Sequence, residues 1–95
     1  MKTVVELPKM KVQNMRSSTG REVPNQFLIY TSHGVYFQSY ATIIACQING
    51  RIYLDETKWD YSKTTGKYRN QFLDETKKET KAKIKKGEYI LTDLN

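Results

Sequence analysis

The chain has 95 residues and carries sixteen Lys and Arg against ten Asp and Glu, a formal charge of +6, with 38% hydrophobic and 12% aromatic side chains. That length leaves no room for two domains, and one domain of this size buries only about 60–65% of the surface its unfolded chain exposes. A multistep enzyme with an enclosed pocket is therefore disfavoured, and the lack of any apolar run of about 18 residues or of a signal-peptide core argues against a membrane span or export.

Residues 1–24 read as an N-terminal arm or edge strand followed by a flexible loop, and 25–95 as a single α+β domain. Val4, Val5, Leu7, Met10, Val12 and Met15 alternate with basic residues, Pro8 confines any strand there to an edge, and Arg16-Ser17-Ser18-Thr19-Gly20 is loop-like. Strands are expected at Gln26–Ser32 and Val35–Tyr40 around a His33-Gly34 turn, with Tyr30 opposite Phe37 and Ile29 opposite Gln38. Thr42–Ile48 and Arg51–Leu54 flank Asn49-Gly50, the strongest short hairpin signal, which sets Cys46 opposite Tyr53 and Ala45 opposite Leu54. Both faces of these strands carry large apolar side chains, so a covering layer is expected on at least one of them.

Tyr61, Thr65, Tyr68 and Phe72 recur at helical spacing behind Ser62, a good N-cap. Asp74 and Glu75 are expected to open a second helix or an extension of the first, with a Glu79–Lys83 pair and Gly87 as its C-terminal cap. Leu73, Thr80 and Ile84 are its inward stripe. Glu88–Leu91 reads as a short edge strand. The expected architecture is an antiparallel meander of four to five strands with one or two C-terminal helices packed on one face.

The charge is uneven: residues 1–21 sum to +4, 22–62 to −2 and 63–95 to +4. Cationic ends attract nucleic acid or an acidic protein surface. A catalytic set is not apparent, because the single His33 and single Cys46 fall on different hairpins and a nucleophile needs a base within reach. Cys46, among Ile43, Ile44, Ala45 and Ile48, reads as a small apolar core group that suits a reducing compartment. Asp55, Glu56 and Asp60 lack the spacing of a calcium loop, a zinc site would need His33 and Cys46 to converge with carboxylates, and phosphate-loop glycine patterns are absent. No enzyme activity, cofactor or metal is expected, and Asp55–Asp60 reads as a solvated loop.

Two sets of residues are candidates for partner binding. Trp59, Tyr36 and Tyr40 belong to the aromatic set, which suits protein interfaces or base stacking. Lys77, Lys78, Lys81 and Lys85 form the basic set; Lys77, Lys81 and Lys85 share one helix face that could neutralise phosphates.

Asn25-Gln26-Phe27, Gly34-Val35-Tyr36-Phe37-Gln38-Ser39-Tyr40 with Ile43-Ile44-Ala45, and Trp59-Asp60-Tyr61-Ser62 through Asn70-Gln71-Phe72-Leu73 resemble a family of small, functionally uncharacterised domains encoded by bacteriophages and integrated elements. The resemblance spans residues 25–73 and brings no catalytic residues with it. It implies a phage setting in the host cytoplasm. The leading expectation is a non-enzymatic inhibitor that occludes a host protein, such as a CRISPR effector or another defence component, in the manner of anti-CRISPR proteins. The alternative is a nucleic-acid-binding accessory protein that uses the lysine-rich helix and sheet aromatics.

Overall fold

A computed structural model describes residues 9–95, so Val4, Val5, Leu7 and Pro8 lie outside the described residues. The strands are β1 (Met10–Arg16), β2 (Glu22–Thr31), β3 (Gly34–Ser39), β4 (Thr42–Ile48), β5 (Arg51–Asp55) and β6 (Tyr89–Thr92), with helices α1 (Lys63–Leu73) and α2 (Lys77–Lys86) between β5 and β6. They form one α+β unit with six strands in sequential order. Six strands replace the expected four to five, and the sheet is mixed: β1 to β5 are antiparallel, whereas β6 runs parallel to β5. The helical pair causes this, because a crossover through two helices returns the chain to the end of the sheet from which β5 started.

Asn49 and Gly50 both adopt positive φ (52° and 75°), as a two-residue hairpin turn requires. Cys46 consequently pairs with Tyr53 and Ala45 with Leu54, as the sequence indicates. The preceding hairpin departs from expectation: Tyr30 pairs with Val35 and Ile29 with Tyr36. Here the Thr31 hydroxyl accepts the backbone N–H groups of His33 and Gly34, which centres the turn on Ser32-His33. Gly34 is instead a strand residue selected by close approach, since a Cβ there would lie 2.0 Å from the Gln47 carbonyl oxygen. A bulge between β3 and β4 turns both Ile44 and Ala45 toward the helices.

Helix α1 starts at Ser62, whose hydroxyl accepts the Thr65 N–H, and places Tyr68 on a core of Met15, Phe37 and Ile44, with Val23, Leu28 and Phe72 packed against it. Phe37 and Phe72 stack at 5.9 Å. Tyr61 precedes the helix and is exposed, so only the last three members of the sequence stripe lie on it. Asp74 does not open α2; it closes α1 in the left-handed conformation, and Thr76 caps α2 in a capping box with Glu79. That box occupies Glu79, and the expected Glu79–Lys83 pair gives way to Lys83–Glu75 at 2.7 Å. Gly87 caps α2 as expected, at φ 80°.

Candidate functional site

Pairing carries one row of side chains across all six strands: Val12, Ile29, Tyr36, Cys46, Tyr53 and Ile90. Paired residues share a face, and successive residues alternate. Phe37, Ala45 and Leu54 point the other way, toward α1, and Tyr89 binds Glu75 and Lys83 on the helical side. Both helices therefore cover one face. Among the described residues, no helix covers the other.

The open row is uncharged. Cys46 is 1% exposed because Tyr36 and Tyr53 flank it, whereas Val12 on the edge strand is 55% exposed. Burial pushes the Cys46 thiol up, away from the reactive thiolate. His33 sits exposed on the β2–β3 turn and Cys46 in mid-strand. Tyr36, the cross-strand partner of Cys46, lies three positions beyond His33, about 10 Å along an extended chain, so the two do not form a dyad.

Tyr36 is the central aromatic of this face. Tyr40, 60% exposed, occupies the β3–β4 turn with φ 55°, a strained conformation for a bulky residue. Trp59 is half-buried, its ring lying 5.1 Å from the Arg69 guanidinium. Lys78, Lys81 and Lys85 are exposed on α2, and Lys77 pairs with Asp60 at 2.6 Å. The lysines thus occupy the helical layer while Tyr36 looks out from the opposite face.

Within the acidic segment Glu56 and Asp60 are exposed as expected, but Asp55 is not solvated. Asp55 is 2% exposed; its Oδ2 accepts the N–H groups of Thr57 and Lys58 and the Thr57 hydroxyl, and its Oδ1 accepts Leu94 N–H and Asn95 Nδ2. Burial raises its pKa, but the bonds from Leu94, Asn95 and Thr57 outweigh it and hold the carboxyl below the ordinary aspartate value. Glu75 is likewise enclosed, accepting from Lys83, Thr80 and Tyr89. Burial again opposes ionisation and those three donors prevail, so the carboxyl stays acidic. Among the described residues, no three His, Cys, Asp or Glu side chains gather into a metal site.

A second feature escapes sequence reading. Asp60, Ser62, Lys63, Gly66, Lys67, Arg69, Asn70 and Lys77 line an open cleft of about 720 Å³. Its floor is Arg69, 1% exposed, which donates Nη1 to the Trp59 carbonyl and to Asp60, and Nη2 to Asn70. The available signal was Gly66 inside an otherwise regular helical stripe, where glycine costs about 1 kcal/mol relative to alanine.

No curated protein and no solved structure shows significant similarity to the chain. A family model matches residues 10–89, from the first strand to the start of the last, and so spans the sheet, both helices and the cleft. The chain belongs to the family of unknown function DUF8033.

Proposed function

We propose that the protein is a non-enzymatic binding module that covers a surface of a partner protein with its open sheet face. The observation that carries this reading is the uncharged row from Val12 to Ile90 across six strands. Depletion of charge at the centre with aromatic enrichment is the composition of an interface core, and it fits an equally apolar protein surface rather than a phosphate backbone. The strained, exposed Tyr40 lies outside this row, in a hollow shared with Ser39, Ile44 and Tyr61 beside α1. In the phage setting suggested by the sequence resemblance, the partner is a host defence component such as a CRISPR effector, inhibited by occlusion.

The test is affinity capture from a bacterial host lysate followed by titration of the captured protein with three purified chains: wild type, Tyr36→Lys and Lys81→Glu. Tyr36→Lys is expected to weaken the complex tenfold or more and Lys81→Glu to leave it unchanged. A partner held equally by wild type and Tyr36→Lys, and released by Lys81→Glu, would show that the helical layer is the docking surface.

A further inference from the structure

Helix α1 places its charges against the grain of its own dipole. The positive end of a helix favours acidic side chains, yet the first turn of α1 has none; Lys63 is its first residue and Lys67 follows one turn later. Its last turn has no basic residue either. Asp60 partly offsets the positive charge, but it is already shared by Arg69 at 3.2 Å and Lys77 at 2.6 Å. Lys63, Lys67, Arg69 and Lys77 against the single Asp60 leave the cleft strongly cationic.

Arg69 is a second and independent sign. Its Nε–H is buried without a partner, although the guanidinium lines the cleft. Buried donors are nearly always satisfied, so an arginine beside a cationic cleft that keeps one donor unpaired is not fully neutralised by its protein partners. Gly66 is itself buried and lies directly over the guanidinium: a Cβ there would sit 3.6 Å from Nη2 and 3.7 Å from Nη1, in ordinary contact, and would add bulk to the lining of the cleft. Trp59, Asp60 and Asn70 already engage Nη1 and Nη2, so Arg69 contributes a fixed positive charge while the exposed lysines act as mobile point charges toward the anion.

We propose that this cleft is a phosphate-binding site, in which the exposed Lys63, Lys67 and Lys77 gather the anion above Gly66 and the buried Arg69 adds its charge from beneath. The site stands apart from the open sheet face, on the helical side, and is independent of the proposed protein docking. The phosphate belongs either to a free or terminal monoester or to a nucleic-acid backbone, for which Lys81 and Lys85 continue the track from Lys77 along the same face of α2.

The experiment is an amide-resonance titration of the full chain at low salt. The probes are inorganic phosphate, a short single-stranded DNA with a 5′-phosphate, and the same DNA without it. Saturable shifts at Gly66, Lys67 and Asn70 are expected. A dependence on the terminal phosphate identifies a monoester as the ligand; equal shifts with both oligonucleotides identify the backbone. Gly66→Ala should raise the melting temperature, because alanine favours the helix, yet weaken phosphate binding about tenfold. The double variant Lys63→Gln, Lys67→Gln should do the same to binding without loss of fold, and Lys85→Gln should leave inorganic phosphate binding unchanged. The proposal is overturned if no probe produces a saturable shift, or if the shifts persist undiminished in Gly66→Ala and the double variant.

Discussion

The guanidinium of Arg69 lies 5.1 Å from the centre of the Trp59 ring and also donates Nη1 to the Trp59 carbonyl at 2.8 Å, so one buried cation fixes both the side chain and the backbone of a single residue. A residue that reads from sequence as an exposed interface anchor is thereby tied to α1. Its half-buried ring belongs to the joint between β5 and the helices.

Arg69→Ala should cost about 3 kcal/mol, the low end for a broken buried pair, because Asp60 is 34% exposed and keeps Lys77. Arg69→Lys should recover only part of this, since an ammonium cannot reach Trp59, Asp60 and Asn70 together as the planar fork does. Urea unfolding midpoints of the three chains measure both steps, and equal midpoints for wild type and Arg69→Lys would refute the fork's role.

Acid should unfold the protein through its enclosed carboxylates. Asp55, Asp60 and Glu75 all ionise below their ordinary values, so the unfolded chain takes up protons that the folded chain resists. Their contribution is complete above the ordinary values of 3.8 and 4.5, and is lost as pH falls through the lower folded values. Melting temperature should hold steady from pH 7 to about 5 and decline from about 4.5 downward. Glu75→Gln should start lower and fall less steeply. A flat profile to pH 3 would contradict this assignment.

Gln26 is 1% exposed, and neither its amide oxygen nor its amide nitrogen has a hydrogen-bond partner. Replacing an unsatisfied buried amide with an apolar side chain of similar shape removes a desolvation cost. Gln26→Met should stabilise the fold by about 1 kcal/mol, read from the shift in denaturation midpoint; a loss of stability would mean that the amide is satisfied by an internal water.

Gly34→Ala tests the close approach of β3 to β4. The new Cβ would meet backbone rather than a flexible side chain, so the strands must separate, at a cost of about 3 kcal/mol or more. Circular dichroism melting shows the size of the loss, and a midpoint within a degree of wild type would contradict the close approach.

The β4–β5 pairing is readable because Asn49-Gly50 leaves one turn geometry and therefore one register. The Ser62 and Gly87 caps are readable for the same reason, a local residue with a local job. The β2–β3 register is not, because it depends on the Thr31 hydroxyl competing for the N–H groups of His33 and Gly34, and on a glycine chosen by contact with Gln47. Asp74 and Glu75 have the composition of a helix start, but tertiary partners decide between start and stop: Glu75 is held by Thr80, Lys83 and Tyr89 from α2 and β6. The aromatic face shows in the sequence only as two-sided hydrophobicity, because the side that α1 covers is decided by long-range packing of Tyr68 and Phe72 on Phe37 and Ile44. The cleft at Gly66 left a single helix-weakening glycine as its mark.

The parallel pairing of β6 with β5 sets an order of assembly. The four hairpins from β1 to β5 join neighbouring segments and close short loops, so they can form early and quickly. Strand β6 reaches Ile52 only after α1 and α2 have spanned the sheet, and its loop is the costliest to close. Asn95 then bonds both the N–H and the carbonyl of Ile43, and Asp55 receives Leu94 and Asn95. Destabilising changes in β6 or at Asp55 should therefore speed unfolding while leaving the folding rate nearly untouched, the behaviour of contacts made after the transition state.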